Sequence, residues 1–370
     1  MSAPTETMKK IRFPRPDSAR FVKDVKVRVN AYFEEEGLSK HANGAMYFKT
    51  VAIFAMCFVP YGLILSGQFS PWAMLGLAVL MGVGAAGIGF SIAHDALHGA
   101  YSSNATVNKV LGFTFDILGA NGYMWKITHN VIHHTYTNIP GIDEDLTVSP
   151  ILRLSPKAPR FWYHRFQPFY AIPAYSLATI NWLFMKDFQQ FLKKDIGPYQ
   201  NKKHPAGEIA VLIVFKLLVI GYMIVLPLVV LDIAWWQFLI GFVAMHATAG
   251  AILGIIFQLA HVVEGTDYPE PDKEGMMEHT WILHEMETTS NFAHRNKLLS
   301  WYIGGLNYQI EHHLFPQVCS IHYPQISRIV KQMAEETGVP YILQPTLLSA
   351  WRSHFRMLKQ LGRHDELAMA

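Results

Sequence analysis

Met124-Trp125-Lys126-Ile127-Thr128-His129-Asn130-Val131-Ile132-His133-His134-Thr135-Tyr136 places three histidines within half a dozen positions. If the segment is helical, His129 and His133 lie one turn apart on one face. His134 then sits about 100° further round, at 3.6 residues per turn. Three imidazoles on so narrow an arc pack poorly but ligate metals well, and their fan is wide enough to serve two adjacent ions. A chain built around such a segment must bring further ligands to it, so the question becomes where its other histidines fall.

Composition narrows the setting. The chain of 370 residues is 51% hydrophobic and 13% aromatic, with charged residues at 16%, against about 25% in soluble proteins. That balance points to an integral membrane protein. The net charge of +3 is too mild to suggest a nucleic-acid partner. Cys57 lies in an apolar run and Cys319 beside a histidine group, with no C-x-x-C pair. A disulfide framework, a zinc finger or an iron–sulfur centre is therefore not expected.

Residues 1–45 are polar and basic (Lys9, Lys10, Arg12, Arg15, Arg20, Lys23, Lys26, Arg28) and lack a secretory signal. They read as a cytosolic N-terminal segment with an interfacial amphipathic helix near 18–36. Apolar runs follow at 47–66 and 71–93, each near the 20 or so helical residues a hydrocarbon core requires. The short link Gly67-Gln68-Phe69-Ser70-Pro71 makes them a hairpin. Gly76, Gly82, Gly84, Ala85, Ala86 and Gly87 let neighbouring helices approach the second run closely. The amphipathic patch at 161–185, interrupted by Pro168 and Pro173, is expected to lie in the membrane interface. A second hairpin covers 208–231 and 234–260, joined by Asp232 and Ile233, with Lys193, Lys194, Lys202 and Lys203 on its entry side. Four spans leave both termini and the middle region on one face, and the excess of Lys and Arg there makes that face cytosolic. The fold class expected is an all-α integral membrane protein with four transmembrane helices in two hairpins. A cytosolic helical cap completes it, with a membrane domain over 46–325 and a C-terminal segment over 326–370.

This topology gathers the histidines. His94 and His98 follow the second span with one-turn spacing, His261 ends the fourth, and His312 and His313 sit in Gln309-Ile310-Glu311-His312-His313. With His129, His133 and His134 they make eight in one layer. Imidazoles suit Zn, Cu, Fe or Ni, and a single zinc takes only four ligands, so two ions are expected. Asp95, Asp143, Glu144, Asp145 and Glu311 are candidates to orient the imidazoles. Taken alone, His261 could instead cap a helix end. His246 lies inside the fourth span, fifteen residues from His261, or about 22 Å along a helix. It is expected to bond a neighbouring helix and not to join the centre. His279, His284, His294 and His322 are expected to be solvated or to support the ligands from behind.

The order H-D-x-x-H, H-N-x-x-H-H and Q-x-E-H-H, each beside a pair of spans, resembles the membrane fatty-acid desaturase family. The glutamine opening the third box is similar to the front-end Δ6/Δ5 group. The likeness covers about 45–325 and includes Phe257-Gln258-Leu259-Ala260-His261, Thr288-Thr289-Ser290-Asn291-Phe292-Ala293 and Gly304-Gly305-Leu306-Asn307. It implies a di-iron centre with His94, His98, His129, His133, His134, His261, His312 and His313 as ligands. Gln309 stands where many relatives have a ninth histidine, and Gln258, one turn before His261, could hold a metal-bound water. The implied activity is O₂-dependent introduction of a cis double bond into a fatty acyl lipid or acyl-CoA. Tyr123, Trp125, Tyr136, Trp301, Tyr302 and Tyr308 could line its cavity. Electrons would come from a separate ferredoxin or cytochrome b5-type donor, since no haem, flavin or iron–sulfur domain is expected within the chain. The implied location is a bacterial inner membrane, with the lipid bilayer itself as a partner. A hydroxylase or acetylenase on the same scaffold is the nearest competing activity. A non-enzymatic metal carrier is disfavoured, because the spans offer few ionisable residues for an ion path.

Overall fold

Local signals start the long helices. Asn43 caps the first, its side chain accepting from the Met46 amide at 3.1 Å, which satisfies one of the amides that a helix start leaves unpaired. Ser70 caps the second, with Pro71 at its first position, where a missing N–H costs nothing. The structure is a computed structural model describing residues 11–15, 20–146, 150–193, 195–200 and 203–364; Lys9, Lys10, Lys194 and Lys202 lie outside them. Four helices among the described residues are long and apolar enough to cross a membrane: Gly44–Leu65, Pro71–Leu97, Ala206–Val230 and Trp235–His261. They are spans 1 to 4 below. Span 2 runs further than its apolar run suggests, because a π-helical stretch at Ile88–Ala93 continues into His94–Leu97. His94 is thus within the helix and not beyond it.

Small residues decide how the spans meet. A Cβ on Gly84 would lie 2.5 Å from the Cys57 amide of span 1, and one on Gly82 would strike the Met245 carbonyl of span 4. Span 2 is therefore clamped from both sides, as its small-residue pattern suggests. Replacing Gly84 with alanine is expected to cost about 1–3 kcal/mol by overpacking. Thermal unfolding of the detergent-purified protein would show this as a lowered Tm. Gly62, with nothing within 4 Å of its added Cβ, should tolerate the same change.

The second hairpin is more open than a simple pair. Span 4 packs mainly on span 2 and on the helix Gln167–Ser176, and meets span 3 chiefly around their connecting turn. A Cβ on Gly250 or Gly254 would fall 2.6 Å from the Ser176 carbonyl or 2.7 Å from Tyr175. After Leu177 the helix Gln167–Ser176 is followed by further helical segments at Ala178–Asn181, Trp182–Lys186 and Asp187–Leu192. The stretch expected to lie in the membrane interface exposes Trp162, Phe169 and Phe184, but it also packs among the spans, Thr179 bonding His246 of span 4 and the Trp182 carbonyl accepting from Lys216 of span 3.

Two expectations change. The helix Arg20–Glu35 does not present its apolar face to a membrane surface. Phe21, Val25, Val29 and Phe33 are buried against Ile326, Val330 and Met333 of the helix Tyr323–Thr337, because the cap covers that stripe. The spans, expected to offer few ionisable residues, also bury a cation in span 1, Lys49, within electrostatic reach of Asp95. Lys216 of span 3 donates to Asp187 Oδ2 and to the carbonyls of Gly119 and Trp182, each at 2.7 Å. All three of its protons are thereby used.

Strand structure among the described residues is minimal. Asp195–Ile196 pairs antiparallel with Tyr199–Gln200, and Asn291–Phe292 pairs parallel with Leu343–Gln344. The second pairing ties the C-terminal region to the cap. The boundary expected at 325 falls inside the helix Tyr323–Thr337.

Candidate metal centre

The segment after Asn121 is where local conformation begins to build the site. Asn121 caps the Gly122–Trp125 turn, accepting from Met124 N at 2.9 Å, while Asp116 accepts from its amide at 3.1 Å. The helix then widens into a π-helix over Lys126–His133, closed by a bond from the His134 amide to the His129 carbonyl at 3.0 Å. Winding by i→i+5 sets His134, and not His133 alone, against His129. Their Nε2 atoms stand 3.2 Å apart. The regular-helix arc drawn from sequence is corrected here: the fan is tighter, and His134 points inward with its neighbours.

All eight histidines of the boxes and of span 4 meet. His94, His98, His129 and His312 form one group with ligand atoms within 4.8 Å of one another, and His133, His261 and His313 form another. His134 stands between them, its ring centroid 4.7 Å from His98, 4.5 Å from His312 and 4.4 Å from His313. His98 is half-buried and the other seven are buried. His261 has neither ring nitrogen bonded among the described residues, so it is not spent on capping its helix.

The donor set fits a metal in a further respect. His133 Nδ1 faces Asp143 Oδ2 at 3.0 Å, His313 Nδ1 faces Glu285 Oε2 at 2.7 Å, and His312 Nδ1 faces the Tyr323 hydroxyl at 3.1 Å. In each case the opposite nitrogen, Nε2, is buried without a partner among the described residues. Imidazoles fixed from behind by carboxylate or hydroxyl, with the far nitrogen free, are the usual arrangement of metal-ligating histidines. Buried polar atoms rarely go unpaired otherwise.

Electrostatics favour neutral, ligating imidazoles. Burial, reinforced by mutual repulsion, pushes His98, His129, His134, His312 and His313 well below the ordinary histidine range. His133 is the exception. Burial opposes its protonation, but the facing Asp143 outweighs that and raises it. Asp143 is held below the usual carboxylate range by the same contact, against the effect of its burial. Burial raises Asp145, whose Oδ2 lies 3.6 Å from His129 Nδ1, and raises Glu285 strongly.

Several expected supporting roles move to other residues. Asp95 accepts from Cys319 Sγ, the Ser320 amide and Ser320 Oγ at 3.1, 3.0 and 2.9 Å, so it ties span 2 to the cap. Glu144 turns outward to Gln190 and Lys193. Glu311 accepts from Asn291 and Tyr341 at 2.8 and 2.9 Å, and burial pushes it up to about 7. Of the five candidates, Asp143, Asp145 and, at 3.9 Å from His94 Nδ1, Asp95 face histidines of the centre. The residues missed are Glu285, Tyr323 and Thr137, whose hydroxyl donates to Glu285 Oε2 at 2.8 Å. Asn138 is also missed; it takes a left-handed conformation at φ 57° and donates to the carbonyls of His261, Asp267 and Thr288. Glu285 adjoins His284, but nothing in the chain marks it above Glu287.

Gln309 and Gln258 are buried one turn before His313 and His261, and Gln258 Oε1 has no partner among the described residues. His246 bonds Thr179 at 3.1 Å, the interhelical bond expected. His279 pairs with Glu287 at the surface, and His294 stacks on Tyr308. His322 faces the His41 carbonyl. His284 is buried against Phe13, which lowers it to about 4. None of these four is bonded to a histidine of the centre; His279 is at the surface, while His284 and His322 are buried. Of the candidate cavity aromatics, Trp125 stacks on His129 with centroids 4.2 Å apart, while Tyr302 instead bonds the Val83 carbonyl of span 2.

Comparison with known proteins agrees with this geometry. Residues 70–345 match the family model described as fatty acid desaturase. The chain is 39% identical over 362 residues to the sn-1 linoleoyl-lipid 6-desaturase of Synechocystis sp., covering 96% of this chain and 99% of that protein. It is 35% identical to a protein of the same name from Arthrospira platensis, covering 98% and 97%. It is 36% identical to the acyl-lipid (8-3)-desaturase of Physcomitrium patens, covering 91% of this chain and 71% of that protein.

Proposed function

The chain belongs to the front-end group of the fatty acid desaturase family and is an oxidoreductase acting on fatty acyl chains; on that premise we propose that it desaturates a lipid-bound acyl chain at a di-iron centre. The substrate proposed is a linoleoyl-like chain attacked at its sixth carbon, by analogy with the two cyanobacterial relatives. The single observation that carries the metal reading is the set of buried Nε2 atoms without partners, each on a ring held from behind.

His94, His98, His129 and His312 would hold one iron, and His133, His261 and His313 the other, with His134 between them. Gln309 and Gln258 are proposed as carbonyl or water-mediated ligands. When bound, the two irons supply activation of O₂, which takes two hydrogens from one C–C unit, with two electrons and two protons from outside, and leaves as two waters. Asp143, Glu285 and Tyr323 keep three of the imidazoles in the orientation that aims Nε2 inward. Burial of the histidine layer excludes water from the reacting bond. A saturated chain offers no polar handle, so the choice of bond rests on where the spans place it.

The reducing equivalents are proposed to come from a separate ferredoxin or cytochrome b5-type protein docking on a basic cytosolic face, in a bacterial inner membrane. Purified protein is expected to carry two irons per chain and to turn over only when such a donor is added. Turnover with O₂ alone, or active protein with fewer than two irons, would count against the proposal. Expression in a host without polyunsaturated lipids, fed defined fatty acids, would locate the new bond by mass spectrometry and separate desaturation from hydroxylation.

A further inference from the structure

Steps of about 100° per residue divide the helix Leu347–Arg363 lengthwise into three stripes. Ala350, Ser353, His354, Met357, Leu358 and Leu361 are buried against the protein. Beside them run Leu347, Leu348, Trp351 and Phe355, all exposed. Beyond these lie Arg352, Arg356, Lys359 and Arg363, exposed as well. The apolar arc is therefore wider than the part the protein covers. The helix Arg20–Glu35 behaves otherwise, since its apolar stripe packs into the cap.

Hydrogen bonds fix the height of this helix. The Val262 carbonyl can only accept, so His354 Nδ1 donates to it at 2.7 Å, and Nε2 of the same ring accepts from the Tyr175 hydroxyl at 3.0 Å. Val262 directly follows span 4, whose 27 residues cover about 40 Å, the depth of a hydrocarbon core with its headgroup layers. Trp235 and Trp236, exposed at the other end of span 4, mark the opposite interface. The helix Leu347–Arg363 thus meets span 4 at headgroup level. Its exposed apolar stripe continues onto the segment beside span 4. Phe355 lies against Phe169, ring centroids 5.9 Å apart, and Phe169 belongs to the helix whose far end, at Ser176, packs on Gly250 of span 4. The turn Trp162–Phe166, pressed on Gly362 through the His164 carbonyl, extends the surface with Trp162 and Phe166, and Arg165 lies over both rings.

We propose that Leu347–Arg363 lies in the headgroup layer on the side of the histidine centre, with Leu348, Trp351 and Phe355 sunk toward the acyl chains and Arg352, Lys359 and Arg363 holding the phosphates of anionic lipids. Arg356 is paired with Glu264 at 2.8 Å, but the other three cations have no acidic partner among the described residues. Leucine and aromatic side chains beside a basic row are the layout of helices that lie in an interface, and such a row attracts anionic headgroups. Continuity with Phe169 at the level where span 4 ends favours the bilayer over a soluble protein as the occupant. The inference needs the four spans but not the metal reading. It changes the expectation for the C-terminal segment from a cytosolic tail to an in-plane anchor. A helix fixed in the headgroup layer also holds, through His354, the residue that follows His261.

The test uses the full chain in nanodiscs of mixed phosphatidylcholine and phosphatidylglycerol, with a fluorophore on Leu348→Cys. Glu335→Cys, at an exposed position of the cap helix Tyr323–Thr337, is the reference. Cys57 and Cys319 are buried and should stay unlabelled. A spin-label quencher near the headgroup is carried by each lipid in turn, at the same fraction. Either labelled lipid is expected to extinguish much of the Leu348→Cys signal and little of the Glu335→Cys signal, with phosphatidylglycerol the stronger quencher. Arg352→Gln, Lys359→Gln and Arg363→Gln together should make the two lipids equal. A Leu348→Cys signal quenched no more than that of Glu335→Cys, or equally by both lipids before the arginines and lysine are changed, would overturn the proposal. A label that lipid does not reach, but that an added acidic donor protein or a second copy of the chain shields, would assign the face to a protein and overturn it too. The comparison of the two lipids on Leu348→Cys alone decides the matter should the triple variant fail to fold.

Discussion

Replacing His133 with alanine is expected to abolish the unsaturated product while leaving the protein in the membrane. His133 is the one histidine that lies both with His261 and His313 and with Asp143 and Asp145. On the proposed di-iron reading its loss removes a ligand from one iron, and it leaves Asp143, wholly buried, without its imidazole partner. A change to a residue that merely supports a ligand typically costs about 10–100-fold in metal affinity or activity, so removing a ligand should cost more. The expected measurement is product below detection together with iron falling from two to one or fewer per chain. His279→Gln, at an exposed histidine paired with Glu287, should keep both irons and serves as the control. A His133→Ala protein with two irons and normal product would remove His133 from the ligand set.

Glu285→Ala should be the next most damaging change, although no motif includes the residue. Its Oε2 accepts from both His313 Nδ1 and Thr137 Oγ1, and its side chain is fully enclosed. Without it the His313 ring loses the contact that fixes its orientation and tautomer. Activity or iron affinity is expected to drop about 10–100-fold. Glu285→Gln retains a carbonyl that can accept from His313, so it should recover some of the loss. A purely structural role would lower Tm equally in both variants and leave iron content per folded chain unchanged. Iron titration of the two proteins side by side distinguishes these cases.

Much of the architecture could be read from the chain because a membrane reduces the folding of its spans to a linear problem. A run such as 71–93 must be helical in hydrocarbon to pair its own backbone, and four such runs bring their polar connections to common faces. The histidine boxes were legible for the same reason. His94 and His98 on one helix, and His312 and His313 on another, are neighbours whatever else the fold does. The supporting contacts were not legible. Glu144 and Asp145 are adjacent in sequence, yet one reaches Gln190 and Lys193 while the other faces His129. That choice depends on which way a loop turns between packed helices.

The sequence by itself determined the four spans, the common layer of eight histidines and the family. These follow from hydropathy and from spacing along single helices, both of which are local properties. Tertiary structure alone decided two things: the π winding that draws His134 in against His129, and the partners Glu285 and Tyr323 behind His313 and His312. The physical reason is range. Each of these depends on side chains brought from distant regions of the chain by packing, or on a helix adjusting its winding to suit them, and neither leaves a period or motif in the sequence.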